Sequence, residues 1–394
     1  MISSRFLRYS AATAGITGTA YLVYQTVKSM RQGFAVQARD IKDTHVVVIG
    51  GGYAGISCAS ELKDKCKYTL IDAKDKFHHN WGAQRASIEE GFARQLLTYM
   101  RSKVVNLDPG SQIVKLENGN ELKYDYLVLA TGTGGSFPGR IPLGISERMR
   151  SCYDTIRKRI MDARSVVIVG GGAAGVEMAG DIKEDFTDKT VTLVHPSEQL
   201  VDNDVSDKFQ GMVKDRLKKL GVAMVLGERV VNLDAAVAGA GPAVVKTDAG
   251  REIPADFVIK AIGLKVHSVA YANSELGKKM DNFGRLPVNE FLQVDGYENV
   301  FAAGDCNNVK ERKMGMLATQ QGTSVGKSIL SHAEGKALNK YSGGAPFALC
   351  IGRTGGVTRM PFFGGVVLGD WVTTKIKAKD CCLSVVKKQL GVKD

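Results

Sequence analysis

The chain has 394 residues, 44% of them apolar and 24% charged, which excludes a disordered or low-complexity protein and allows two or three domains with cores of their own. Seven cysteines without a C-x-x-C pair or regular spacing exclude a disulfide framework or zinc module and fit reduced thiols facing a cytosol or organelle matrix. A net charge of +12 and a pI near 9.2 favour anionic partners, and because no nucleic-acid motif accompanies the charge, a membrane surface or nucleotide cofactors account for it better than DNA.

Nineteen uncharged residues, Tyr9 to Val27, lie between Arg8 and Lys28, and the first acid is Asp40. As a helix this run spans roughly 28 Å, close to the thickness of a bilayer core. A retained membrane anchor over 1–28 is the preferred reading; a cleaved mitochondrial transit segment and an interfacial helix are the alternatives. Residues 29–43 form a basic linker.

His45 to Ile49 is an apolar, β-branched run that reads as a buried parallel strand. It leads into Gly50-Gly51-Gly52-Tyr53-Ala54-Gly55, a G-x-G-x-x-G turn that opens a helix. Gly50 allows the tight turn, Gly52 lets backbone approach a pyrophosphate, and Gly55 lets helix pack on strand. The next strand ends in Asp72, 22 residues after Gly50, where a ribose hydroxyl needs a carboxylate. The loop from Lys74 to Arg85 carries His78 and His79 but no further ligand at metal spacing, so it is expected to line a cofactor and no metal is expected. Residues 87–100 read as a helix and Val104 begins a strand. A hairpin turns at Asn118-Gly119, and Tyr126 to Ala130 is a buried strand that runs into Thr131-Gly132.

The opening pattern then repeats 120 residues on, with Ser165 to Val169 followed by Gly170, Gly172 and Gly175 in the same spacing. Two such fingerprints predict two dinucleotide-binding units in one chain. The second unit has His195 where an acid would select NADH, which leaves NADPH open. Glu177, one turn into the second helix, reads either as a surface acid favoured by the helix dipole or as a residue beside bound nicotinamide. Lys208 to Leu220 is an amphipathic helix, Asp234 to Pro242 a loose connection, and residues from Val244 a hairpin. Phe257 to Gly263 closes the unit. Val300 to Cys306 is a strand that ends in Gly304-Asp305, and Met314 to Ala333 is a helix. Five lysines follow Trp371 up to Lys388.

Taken together, the paired fingerprints, the Ala130-Thr131-Gly132 strand end and the late Gly304-Asp305 resemble the flavin-dependent pyridine-nucleotide oxidoreductases. Asp75 to Asn80, Arg85-Ala-Ser, Gly175-Val-Glu177, Gly304-Asp305-Cys and Lys313-Met314 are similar to the apoptosis-inducing-factor-like group within them. The resemblance implies an α/β fold of two doubly wound, Rossmann-like domains with a smaller α+β C-terminal region. By it, 44–155 and 271–330 form an FAD-binding domain, 156–270 an inserted NAD(P)H-binding domain, and 331–394 the C-terminal region. It implies that Gly50 to Gly55, Asp72, Arg85, Val104, Thr131, Gly132, Gly304 and Asp305 hold FAD. Gly170, Gly172, Gly175, Glu177 and Gly263 would position NADH or NADPH.

The activity so implied is hydride transfer from NAD(P)H to FAD and onward reduction of a ubiquinone-like quinone in a cytosol-facing membrane, such as the mitochondrial outer membrane or a lipid-droplet surface, with protection of lipids from peroxidation. Glu177, Lys313 and Met314 are the candidate catalytic residues, with Gln320 and Phe362 on the quinone side. An ordinary helix end, a polar helix face and a core aromatic are the plainer readings of Lys313-Met314, Gln320 and Phe362. A redox signalling protein that binds DNA or a partner through its basic surface, and a monodehydroascorbate or ferredoxin reductase, are the alternatives. The oligomeric state is open.

Overall fold

In the computed structural model, the β-branched runs flanked by glycine become the strands of two parallel sheets. The structure describes residues 41–74, 77, 102–136, 138, 140, 149–201, 204–239, 241–362, 364–378 and 381–390. The anchor over 1–28, most of the linker, the loop with His78, His79 and Arg85, and the helix expected over 87–100 lie outside these residues. Among the described residues no helix is long and apolar enough to cross a membrane.

The first unit starts with β1 (His45–Ile49), α1 (Tyr53–Leu62) and β2 (Lys67–Ile71). A three-stranded antiparallel meander follows, β3 (Val104–Asp108), β4 (Ile113–Leu116) and β5 (Glu121–Lys123), then β6 (Tyr126–Leu129) and the short β7 (Thr133–Gly134). After α2 (Met149–Asp162), the second unit repeats the theme with β8 (Ser165–Val169), α3 (Ala173–Asp185), β9 (Thr190–His195), α4 (Asp207–Leu220) and β10 (Ala223–Leu226). It is completed by α5 (Leu233–Ala238), the hairpin β11 (Ala243–Lys246) and β12 (Glu252–Ala255), and β13 (Phe257–Lys260). The chain returns to the first unit through β14 (Lys265–Val266), α6 (Val269–Ala272), β15 (Val300–Ala302) and α7 (Gly315–Ala333). It ends in the antiparallel strands β16 (Phe347–Cys350), β17 (Gly356–Arg359) and β18 (Val367–Leu368), with α8 (Asp370–Thr373) and α9 (Leu383–Leu390).

Both parallel sheets share a three-strand plan, β6-β1-β2 in the first and β13-β8-β9 in the second, with the fourth strand at opposite edges. The first runs β15-β6-β1-β2 and the second β10-β9-β8-β13, with the strand that precedes each glycine turn inside its sheet. Central strands are covered on both faces, which explains their unbroken apolar sequence; Val46, Val47 and Val48 are fully buried. The antiparallel pair β7–β14 joins the entry and exit of the second unit, matching Thr133 with Val266. The C-terminal sheet packs Phe347, Leu349 and Val357 into the core of the second unit, where Phe347 stacks on Phe209 with ring centroids 5.4 Å apart.

Helix ends follow local chemistry. Ser206 caps α4 by accepting the Phe209 N–H, and Gly221 closes it in the left-handed conformation. One expectation is corrected: the connection after Asp234 is not loose but contains α5. Its Leu-Asp-Ala-Ala-Val-Ala sequence has high helix propensity, and Ala236 is buried against the β11–β13 layer.

Candidate functional site

Each glycine turn is forced by its surroundings. Gly50 has φ +110°, and a Cβ on Gly55 would stand 1.7 Å from the Gly50 carbonyl oxygen. The second unit repeats this geometry, with φ +119° at Gly170 and 1.9 Å between a Gly175 Cβ and the Gly170 oxygen. Gly52 and Gly172 differ: nothing lies within 4 Å of where their Cβ atoms would be. They cap α1 and α3, and neither helix has a side-chain cap. Free N–H groups, the positive helix end and open space are what a pyrophosphate needs.

Both N-termini open onto one cavity of about 900 Å³. Gly52, Tyr53, Ala54, Asp72, Thr131 and Gly132 line it from the first unit, and Gly304, Asp305, Lys313 and Met314 from the strand-to-helix return. Gly172, Glu177 and the 259–262 strand end line it from the second unit, and Phe347, Ile376 and Lys377 from the C-terminal region. Asp72 is oriented by its own turn, with Oδ2 accepting the Gly51 N–H at 2.5 Å and Oδ1 the Lys74 N–H at 2.7 Å. His195 occupies the equivalent place in the second unit, where its Nδ1 accepts the Gly171 N–H at 3.0 Å. That bond leaves the ring proton on Nε2. The imidazole therefore steadies the turn as the carboxylate does, without its charge.

Glu177 is not a solvated surface acid. Its Oε1 accepts the Lys377 Nζ at 2.6 Å and the Cys350 N–H at 3.1 Å, and the residue is buried. Burial alone would lower the Lys377 pKa, but the Glu177 carboxylate outweighs that cost and holds the ammonium above the ordinary lysine range. The result is a fixed positive donor, which also bonds the Ala348 carbonyl at 3.3 Å, in a wall that includes Met314 and Ile376.

The remaining predicted residues fall into place differently. Asp305 accepts the Thr133 hydroxyl at 2.6 Å and lies 3.7 Å from the Arg140 guanidinium. Lys313 reaches the cavity, but its Nζ also donates to Asn307 O at 2.8 Å, Asn307 Oδ1 at 3.0 Å and Val309 O at 3.3 Å, so it braces the Gly304–Asp305 loop. Burial pushes its pKa down. Gly263, with φ +86°, follows the 259–262 strand end but does not itself line the cavity. Three further expectations are not met by position. Val104 is buried in the core at the start of β3 and does not line the cavity. Gln320 donates to Gly344 O instead, and Phe362 is half exposed in the turn before β18.

Lys377, Arg140, Thr133 and His267 are among the cavity residues that the sequence did not single out. The imidazole of His267 is driven toward neutrality by burial and by the Lys74 charge.

A family model described as pyridine nucleotide-disulphide oxidoreductase matches residues 44–323. The chain is 37% identical over 365 residues to ferroptosis suppressor protein 1 of Xenopus tropicalis, covering 89% of this chain and 96% of that one. It is 30% identical over 378 residues to apoptosis-inducing factor homolog B of Dictyostelium discoideum, covering 88% and 96%. Among solved structures, the sulfide:quinone oxidoreductase of Aquifex aeolicus superposes with a TM-score of 0.71 at 18% identity over 89% of this chain and 92% of that one, a likeness of fold.

Proposed function

The chain belongs to the pyridine nucleotide-disulphide oxidoreductase family, an oxidoreductase with FAD and NAD(P)H as cofactors, and on that premise we propose that it reduces a ubiquinone-like quinone at a membrane. The first glycine turn, Asp72, Thr131, Gly132, Gly304 and Asp305 would hold FAD. The second turn and Glu177 would hold the nicotinamide nucleotide. Bound FAD supplies the chemistry, taking hydride from the nucleotide and passing electrons to the acceptor. The chain's own residues would bring both cofactors into one cavity.

The observation that carries the quinone reading is the Lys377–Glu177 pair set in an apolar wall. Reduction of a quinone needs an apolar surface for the ring and a donor for the oxygen that gains charge. Met314 and Ile376 offer the first and the Lys377 ammonium the second. A C-x-x-C or C-x4-C disulfide pair is missing: Cys58 is fully buried in the α1 core and no second cysteine stands at that spacing from it. The uncharged run 9–27 supports placement on a cytosol-facing membrane, where reduced quinone would protect lipids from peroxidation.

The test uses the full chain in detergent. A flavin absorbance that is bleached by NADH or NADPH and restored by a short-chain ubiquinone analogue is the expected result. Restoration by ferredoxin or monodehydroascorbate but not by quinone would overturn it.

Nucleotide choice follows from His195. With an uncharged ring in the place of a ribose-binding acid, this position does not repel a 2′-phosphate, so NADPH and NADH should both serve. His195→Asp should keep the Gly171 contact, restore the repulsion, and lower the NADPH-to-NADH ratio of kcat/KM about tenfold. Steady-state kinetics with each nucleotide checks this.

A further inference from the structure

Of the seven cysteines, only Cys382 lines the cavity. With Cys381 it forms a turn of two successive left-handed residues, φ 52° and 59°, a conformation uncommon outside glycine. The turn is pinned to the segment that carries Lys377. The Cys381 N–H donates to the Lys377 carbonyl at 2.8 Å, and the Cys382 Sγ donates to the Ile376 carbonyl at 3.4 Å. One stretch of chain thus contributes both an ammonium, fixed by Glu177, and a thiol to the same wall. Cys382 is itself buried, 8% exposed; Cys350, whose N–H bonds the same carboxylate, is buried too but does not line the cavity.

We propose that Cys382 is an alkylation site for quinones that enter this cavity with an unsubstituted ring carbon. The proposal rests on the quinone reading above. In the step, Sγ forms a bond to the free ring carbon and the S–H bond breaks. The thiol proton goes to one quinone oxygen, and the hydrogen of the attacked carbon moves to the other as the ring becomes aromatic. The product is a hydroquinone thioether; the quinone is reduced by the addition itself and no other oxidant or reductant is consumed. A fully substituted ring has no such hydrogen to give up and forms no stable adduct. The cavity would then tolerate fully substituted quinones as acceptors and be blocked by the simpler ones.

The experiment incubates the oxidised, FAD-loaded full chain with 1,4-benzoquinone, without NAD(P)H so that the quinone is not consumed by reduction. Peptide mass spectrometry then locates the adduct, and NADH oxidation with a fully substituted quinone measures what activity survives. The expected result is one adduct per chain at Cys382, formed more slowly in the presence of the fully substituted quinone. Cys382→Ser should lose its own starting activity at least about tenfold more slowly than the parent, because a serine hydroxyl is a far weaker nucleophile. Cys381→Ser should still be alkylated at Cys382.

Adducts at Cys66 or Cys152 with Cys382 unmodified would overturn the proposal. So would a Cys382→Ser protein inactivated at the parent rate, or an adduct that the fully substituted quinone does not slow. If that quinone shields Cys382 but is not itself reduced, the alkylation site stands and the reductase reading is what fails.

Discussion

Lys377→Ala is expected to lower quinone-dependent turnover about 100-fold while flavin remains bound. The ammonium is buried, and it keeps its charge because Glu177 lies 2.6 Å away. Its job in the proposed reaction is to meet an oxygen that gains negative charge, so the loss should fall on kcat with the quinone. Ferricyanide, which takes electrons without protons, should be reduced near the parent rate. Glu177→Gln tests the same pair from the other side. Removing one partner of a buried ion pair costs about 3–5 kcal/mol, because the survivor is left without a counter-charge. The sign of the pH effect follows from the raised pKa. In the parent, the stability contributed by this lysine is fully present below its unfolded value of 10.5 and is lost only as pH rises through the higher folded value. The parent should therefore show no alkaline fall in turnover from this group at pH 7 to 10. Without the carboxylate, burial dominates, the lysine discharges earlier, and an alkaline limb should enter that range. Stopped-flow reduction of the flavin by NADH separates an effect on hydride transfer, for which Glu177 is also proposed, from one on the quinone step.

This pair also marks where sequence reasoning ends. The two fingerprints were legible because every requirement is local. A β-branched strand, a glycine with positive φ and a glycine under the helix lie within eleven residues of each other, and the chain repeats them. The order of strands in both sheets follows from the same βαβ logic. Glu177 could be flagged by its position one turn into α3, but the choice between a solvated acid and a site residue needed its partner. That partner is 200 residues away, among five lysines near the end of the chain to which the sequence assigned no role. Nothing local marks Lys377; its role comes from the packing of the C-terminal sheet on the second unit. Gln320 failed for the reverse reason. It sits on the helix that contributes to the site, yet helix rotation turns its amide to Gly344 and sends Gln321 to the Gly304 N–H at 2.7 Å. One residue of phase along a helix decides which side chain serves the site.

Gly55→Ala and Gly52→Ala should fail in opposite ways. At Gly55 the added methyl would stand 1.7 Å from the Gly50 carbonyl oxygen and 3.5 Å from the Ala130 Cβ. Neither can move aside, because Gly50 is itself fixed by the turn and its N–H is bonded to Ile71 O at 2.7 Å. The helix must lift off β1, at a cost at the upper end of the about 1–3 kcal/mol typical of overpacking, and its first N–H groups lose their aim. Purified Gly55→Ala should be colourless and melt well below the parent even after both are stripped of flavin. At Gly52 the backbone has φ −85° and nothing stands within 4 Å, so alanine fits the fold. Its methyl instead takes space that bound phosphate would occupy. Stripped Gly52→Ala should melt with the stripped parent, bind FAD more weakly, and gain less melting temperature as FAD is added, as mass action requires. The second unit gives the control. Gly175→Ala carries the same clash, 1.9 Å from the Gly170 oxygen, but in the turn assigned to the nicotinamide nucleotide. That protein should remain yellow while NADH and NADPH no longer bleach it, whereas loss of flavin there would mean that the two turns have been assigned to the wrong cofactors.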